Sequence, residues 1–214
     1  MTVAGKLAPY LALLAFLGAA APAALADGPA TSPVEAGKFI QDLGDRAVAL
    51  FSSYTPAEAA KSQEELRAIL QKGFDLELIG RFVLGSTWRS ATPEQKEEYR
   101  RLFDAWVINT YARRIGAYKG ESFKVIGAQP LAETDAVVET EIDRADGPPL
   151  KAGWRVRGVQ GNLKIIDVMV EGVSMALTQR QEFSSVIQRE GLDGLIRGLR
   201  ARVDSLKADS TTTN

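Results

Sequence analysis

The middle of the chain contains four consecutive strand candidates between two groups of amphipathic helices, and this order limits the fold more than any other feature of the sequence. The strand candidates are residues 121–128, 134–143, 150–159 and 163–170. Pro130, the run Asp146-Gly147-Pro148-Pro149 and the pair Gly161-Asn162 separate them, which favours antiparallel hairpins. A sheet this apolar on both sides needs cover on both faces, or cover on one face and a ligand on the other.

The flanking helices are predicted from apolar residues that recur every three and four positions. They cover residues 34–52, 55–72, 75–85 and about 92–118 before the strands, and residues 177–190 and 192–206 after them. Asp75 is a predicted N-cap, and Thr92-Pro93-Glu94-Gln95 is a capping box with proline at the first helical position. The helix after this box has apolar residues on two sides, so we expect it to pack against two neighbours. The element order predicts an α+β domain.

Alternation in the last hairpin assigns side chains to the two faces of the predicted sheet. One face is predicted to carry Ala152, Trp154, Val156, Leu163, Ile165, Asp167 and Met169. The other face is predicted to carry Arg155, Arg157 and Lys164. Asp167 is thus a carboxylate on an apolar face. It is interpreted either as a buried acceptor of hydrogen bonds from backbone N–H groups or the Trp154 indole, or as an acid or base.

The composition excludes several kinds of chemistry, because the chain contains neither His nor Cys. Without them, Ser-His-Asp and Cys-His catalysis, His-built metal sites and disulfides are all excluded. The 26 Lys and Arg residues are balanced by 27 Asp and Glu residues, which argues against binding to nucleic acid. We predict no metal and no cofactor.

The N-terminus has the pattern of a secretory signal peptide. Lys6 precedes an uncharged apolar stretch, residues 7–21, and Ala24-Leu25-Ala26 is a small-x-small cleavage site. Cleavage after Ala26 would place the protein in the periplasm. An uncleaved anchor is the alternative, although the stretch is shorter than the ~20 apolar residues of a membrane span. The predicted organisation is a signal peptide (1–26), a flexible leader (27–33), one domain (34–208) and a disordered polar tail (209–214).

Two separated blocks of sequence resemble a known family. The first block is Leu84-Gly85, Trp88 and Ser90-Ala91-Thr92-Pro93-Glu94-Gln95. The second is Glu171-Gly172-Val173-Ser174-Met175, a basic helix over residues 179–190, and Leu192-Asp193-Gly194-Leu195. In this order they resemble the MlaC, or toluene-tolerance, family of periplasmic phospholipid-binding proteins. The resemblance implies a curved four-stranded antiparallel sheet of the nuclear-transport-factor-2-like type, packed with helices before and after it, and lipid tails between sheet and helices.

The resemblance implies a carrier and not an enzyme. It implies that the protein shuttles phospholipid between an outer-membrane lipoprotein complex and an inner-membrane substrate-binding ring of an ABC transporter, in support of outer-membrane lipid asymmetry. A diacyl phospholipid has ~30 methylenes, and their exposure to water costs ~0.8 kcal/mol each, so transfer between membranes requires an apolar cavity. Neither a metal nor a catalytic group is needed for that.

The predicted cavity is lined by aromatic, aliphatic and methionine side chains. The candidates are Phe74, Leu78, Phe82, Phe103, Trp106, Tyr111, Val138, Trp154, Val156, Met169, Val173 and Met175. Flexible thioethers suit a pocket whose contents vary in shape. Three alternatives stay open: a carrier of a hopanoid-type lipid, a curved-sheet enzyme that uses Asp167 as acid or base, and an interaction protein with a filled core.

Overall fold

The computed structural model describes residues 31–112, 120–132, 134–144, 147–159 and 162–212. Within these ranges the chain is an α+β domain, as predicted, with helices before and after an antiparallel sheet. None of the described helices combines the length and the hydropathy that a membrane-spanning helix needs.

The helices and strands follow the predicted order. The elements are α1 (Pro33–Ser52), a 3-10 turn (Pro56–Glu58), α2 (Ala59–Gly73), α3 (Leu76–Leu84), α4 (Thr87–Ser90), α5 (Pro93–Ala112), β1 (Ser122–Leu131), β2 (Asp135–Arg144), β3 (Gly147–Val159), β4 (Asn162–Val170), β5 (Val173–Ser174) and α6 (Met175–Thr212). Helix α6 is interrupted at Gly191, whose φ of 71° lies in the region that favours glycine. This interruption falls between the two helices predicted there. The helix also continues into the segment predicted as a polar tail.

Local caps explain where several helices begin. Asp75 accepts a hydrogen bond from the Leu78 N–H at 2.9 Å, which confirms its predicted role as N-cap of α3. The capping box is also confirmed: the Thr92 N–H donates to the Gln95 side chain at 3.1 Å, and the Gln95 N–H donates to the Thr92 hydroxyl at 3.2 Å. Thr55 makes no side-chain cap, and Pro56 begins a 3-10 turn instead of the predicted helix.

The sheet is an antiparallel meander in the order β1-β2-β3-β4-β5. It has five strands and not four, because Val173 and Ser174 pair with the end of β4. The predicted break at Pro130 is wrong, since Pro130 lies inside β1 opposite Ala136. Proline is tolerated there because β1 is an edge strand, which is paired only with β2.

A β-bulge changes the predicted faces of the last hairpin. Val156 lies opposite Ile165, so these two residues share a face as predicted, but Arg155 lies opposite Asp167, so Ile166 is an extra residue in β4. Beyond this bulge the assignment of the β4 side chains is reversed, and Met169 lies opposite Gly153. The prediction that Asp167 and Met169 share the face of Trp154 and Val156 is therefore wrong.

One face of the sheet packs closely against α1. Its buried cluster consists of Ala36, Ile40, Ala136, Val138, Val156 and Ile165. Gly44 permits the close approach, because a Cβ there would lie 2.2 Å from the ring of Phe123. Trp154 is packed at the margin of this cluster against Phe74 and Phe123, with ring centroids 6.5 and 6.1 Å away.

Helix α5 has two different neighbours, as its apolar pattern predicts. Tyr99, Leu102 and Phe103 are buried in a cluster with α3 and α6. Ile108 is buried in a second cluster with residues of α1 and α2. The predicted continuation of α5 over residues 113–118 lies outside the described residues. Helix α5 therefore packs against α3 and α6 on one side and against α1 and α2 on the other.

Candidate functional site

The junction between α2 and α3 is attached to β4. Helix α2 ends at Gly73, and Phe74 then forms a parallel bridge with Ile165. The Asp75 N–H donates a hydrogen bond to the Ile165 carbonyl at 3.0 Å, while the Asp75 side chain caps α3. The junction therefore fixes the start of α3 beside the sheet and leaves a space between α3, α5 and β4.

This space is a cavity of about 460 Å³ that is open to solvent. Its lining residues are Gln71, Phe74, Asp75, Leu76, Glu77, Leu78, Arg81, Asp104 and Lys164. A volume of this size lies within the ~300–1,000 Å³ of ordinary ligand sites. The wall combines three apolar side chains with five charged ones, so it is less apolar than the sequence predicts.

A smaller cavity of about 30 Å³ lies next to the first, between α3 and α5. Leu76, Glu77 and Asp104 contribute to both cavities, and Phe103 and Tyr99 line only the smaller one. The Tyr99 hydroxyl donates a buried hydrogen bond of 2.8 Å to the Gly80 carbonyl. Burial raises the pKa of Tyr99 far above its ordinary value, so this phenol remains a neutral donor.

Most charged side chains of the wall already have partners. The Lys164 ammonium donates to the Gln71 and Lys72 carbonyls at 2.9 and 2.8 Å, where the C-terminal carbonyls of α2 lack partners within the helix. Glu77 lies 3.3 Å from Arg100. The Arg81 guanidinium lies 5.6 Å from the centroid of the Trp88 ring.

Asp104 is the exception. Its side chain is half-buried, and no described residue forms a hydrogen bond or an ion pair with it. Burial raises the pKa of the Asp104 carboxyl above its ordinary value, Arg100 and Arg67 oppose this effect, and Glu77 adds to it.

A separate charged group lies on the sheet face away from α1. Asp135 is buried and accepts hydrogen bonds from Arg155 at 2.6 Å and from Arg157 at 2.6 and 2.9 Å. Desolvation favours the neutral acid, but hydrogen bonds from Arg157, Arg155 and Thr134 together outweigh it and lower the pKa of Asp135. This satisfied cluster ties β2 to β3.

The hydrogen bonds of Asp167 indicate a structural role. It accepts hydrogen bonds from the N–H groups of Val168 and Ala176, at 2.8 and 3.1 Å, and from the Ser174 hydroxyl at 2.6 Å. The predicted acceptance of backbone N–H bonds is thus confirmed, and the Trp154 indole, which was the alternative donor, donates to the Thr140 hydroxyl at 2.8 Å. Asp167 joins β4, β5 and the start of α6.

The structure brings a few of the predicted ligand contacts to the cavities. Phe74 and Leu78 line the larger cavity, and Phe103 lines the smaller one. The charged lining residues were missed, because charges on an amphipathic helix are normally interpreted as a solvated face. The spacing of Phe74 and Leu78 was the available signal for the apolar part of the wall.

The remaining candidates lie elsewhere. Val138 and Val156 are fully buried under α1, Trp154 lies beside them, and Met169 is on the opposite sheet face. Trp106 belongs to an aromatic cluster with Phe103 and Phe183. Four more candidates are exposed: Phe82, Tyr111, Val173 and Met175. Phe82 is partly covered by Arg180, whose guanidinium lies 5.0 Å from the ring centroid.

Nothing in this arrangement resembles a catalytic or metal centre. Within the described ranges, no three His, Cys, Asp or Glu side chains come together in a way that could hold a metal ion. The arrangement provides an open space with a partly charged wall, and Asp104 in this wall has no hydrogen-bond or ion-pair partner among the described residues.

Comparison with known proteins identifies relatives over most of the chain. A family model described as MlaC protein matches residues 45–201. The intermembrane phospholipid transport system binding protein MlaC of Haemophilus influenzae is 26% identical over 126 residues, which are 57% of this chain and 59% of that relative. The toluene tolerance protein ttg2D of Pseudomonas putida is 24% identical over 147 residues, 67% of this chain and 68% of the relative.

A solved structure has the same fold. It is a phospholipid-binding protein from Ralstonia solanacearum in complex with a phospholipid, and it superposes with a TM-score of 0.69 at 22% sequence identity. The match covers 80% of this chain and 98% of that one.

Proposed function

The chain belongs to the MlaC family, and we propose on that premise that it is a periplasmic phospholipid carrier that binds acyl chains in the cavity between α3, α5 and β4. The match of residues 45–201 to the family model is the observation that supports this proposal most, and the cavity of about 460 Å³ supplies the candidate position for the acyl chains. The protein acts by binding and release, without a catalytic step. A Haemophilus relative that is named as a binding protein of a phospholipid transport system supports the same function.

The size of the cavity indicates how much lipid it holds. A methylene is about as large as a water molecule, which takes up roughly 30 Å³ in the liquid, so the cavity has room for about fifteen methylenes. That is about half of the ~30 methylenes of a diacyl phospholipid. By volume alone the open cavity corresponds to one acyl chain, and a diacyl phospholipid needs about twice this space.

We propose that the protein exchanges lipid with an outer-membrane lipoprotein complex and with an inner-membrane substrate-binding ring of an ABC transporter. The family membership supports this proposal, and so does the Haemophilus relative, which is named as the binding protein of an intermembrane phospholipid transport system. The signal-peptide pattern supports periplasmic location, although residues 1–30 lie outside the described part of the chain.

Lipid recovered with the protein tests the proposal directly. The protein should be purified from its own periplasm, studied by native mass spectrometry, and extracted for lipid analysis. We expect a bound phospholipid and a lower thermal stability after delipidation, because a ligand that binds only the folded state stabilises it. A bare protein mass, or a hopanoid as the recovered lipid, would overturn the phospholipid assignment.

A matched pair of variants tests the position of the cavity. Leu78→Glu places a carboxylate against the acyl chain at a cost of several kcal/mol, so we expect co-purified phosphorus per protein to fall at least about tenfold. Leu177→Glu is the control, because Leu177 is 47% exposed and lies outside the cavity. Equal phosphorus in the two folded variants would show that lipid binds elsewhere.

A further inference from the structure

Asp104 lies where bound acyl chains would surround it. It lines both the larger cavity and the smaller one next to it, with Leu76 contributing to both and Phe103 to the smaller. A carboxylate in such a wall is tolerated while water fills the space. It becomes costly once apolar groups replace that water, unless a cation pairs with it or it takes up a proton.

No described cation forms an ion pair with Asp104 in the structure, although Arg100 and Arg67 lie near enough to lower its pKa. Arg100 of α5 lies 3.3 Å from Glu77 and 3.9 Å from Glu97. Arg67 of α2 lies 3.2 Å from Glu64, so both nearby guanidiniums have other carboxylate partners.

The other charged groups of the wall are also occupied. Lys164 of β4 donates to two carbonyls of α2, and Arg81 of α3 stacks on Trp88. Asp75 of α3 caps its own helix. Proton uptake by Asp104 on filling of the cavity requires none of these contacts to break.

We propose that Asp104 is a proton-binding site coupled to the lipid cavity, so that the protein takes up a proton at this carboxyl when an acyl chain enters and releases it when the chain leaves. The proposal rests on the proposed carrier function. The proton comes from solvent and returns to solvent, and no bond of the lipid changes. By linkage, if bound lipid raises the proton affinity of Asp104 by some factor, protonation of Asp104 raises the lipid affinity by the same factor.

The direction of the pH dependence follows from burial. The pKa of Asp104 is already raised in the lipid-free protein, and loss of water on loading raises it further. Lipid affinity therefore increases as the pH falls from the pKa of the loaded state to that of the free state. For one proton the change is at most about tenfold in Kd per pH unit, and Kd is constant outside this interval.

The test measures Kd of the delipidated full mature chain for phosphatidylcholine carrying a fluorescent acyl chain, from about pH 5 to about pH 8. This headgroup keeps its charge over that range. We expect tighter binding at low pH for the wild type, and tight binding without pH dependence for Asp104→Asn. Glu182→Gln, an exposed α6 carboxylate outside the cavity, should keep the wild-type profile.

A second measurement does not depend on the variant. Calorimetric titration of the wild type with the same lipid, in two buffers of different ionisation enthalpy, gives the number of protons taken up. We expect up to one proton within the interval where Kd changes. Lipid binding with a flat pH profile and no proton uptake would overturn the role of Asp104, whereas no lipid binding at any pH would overturn the carrier function itself.

Discussion

The sheet face under α1 and the cavity beside α3 lie on neighbouring parts of β4, yet they differ in how far their polar groups are paired. Under α1, Val156 and Ile165 are fully buried, and the nearby Trp154 indole donates to Thr140. Beside α3, five charged side chains line an open space, and none of the described residues forms a hydrogen bond or an ion pair with Asp104. The first region stabilises the fold, because it is filled and satisfied. The second region is open to solvent and is the proposed lipid site.

The difference also separates two kinds of mutational effect. A change under α1 removes packing or adds an unpaired charge in a space that has no water, so it should lower the free energy of unfolding. A side chain substituted in the wall of the empty cavity is exposed to solvent, so the substitution should alter ligand binding more than the free energy of unfolding. Val156→Glu under α1 and Leu78→Glu in the cavity wall test this separation.

Val156→Glu should be the most damaging substitution. It places a carboxylate without a partner in the cluster under α1, and we expect the free energy of unfolding to fall by about 3–5 kcal/mol. Urea denaturation followed by circular dichroism measures this effect. Leu78→Glu should shift the urea midpoint far less. A stable Val156→Glu protein that has lost its lipid would show that acyl chains also reach the face under α1.

Asp135→Ala should cost about 2–3 kcal/mol, because it leaves two guanidiniums close together without their shared carboxylate. The cost is below that of a fully buried pair, because the Arg155 and Arg157 side chains are 38% and 34% exposed. Urea midpoints measure the loss. Asp143→Ala, which removes an exposed carboxylate of the same strand, should change stability by less than about 0.5 kcal/mol.

The lowered pKa of Asp135 predicts that the stability of the folded protein depends on pH. Since the pKa of Asp135 is lowered in the folded state, its contribution is complete above the ordinary Asp pKa of about 3.9 and is lost as the pH falls through the lowered value. Wild-type stability should therefore fall more steeply below about pH 4 than that of Asp135→Ala. Parallel acid profiles of the two proteins would show that the cluster does not lower this pKa.

Asp167→Asn should have the smallest effect, about 1 kcal/mol, because the amide oxygen can still accept the Val168 and Ala176 N–H groups while the bond with Ser174 weakens. Thermal denaturation measures the loss, and co-purified phosphorus should equal that of the wild type. Full stability together with complete loss of lipid would instead give Asp167 a direct role in binding.

Local signals in the sequence predicted much of the architecture. The Asp75 cap, the capping box at Thr92 and the interruption at Gly191 depend on residues within a few positions of one another, and each was confirmed. The two apolar sides of α5 were likewise readable from its spacing. The family blocks around Gly85 and Val173 lie within the region matched by the family model.

Only the tertiary structure decided the cavity and the faces of the last hairpin. One extra residue, Ile166, reverses the side of Asp167 and Met169, and no local pattern predicts it, because a bulge depends on how β3 and β4 pair. Asp104 is one of many charges on an amphipathic helix until α3 and β4 close around it. Sequence by itself determines which segments form helices and strands, since short-range hydrogen bonds and periodicity control them. Burial of a particular charge depends on neighbours that are distant in the chain, and folding alone brings them together.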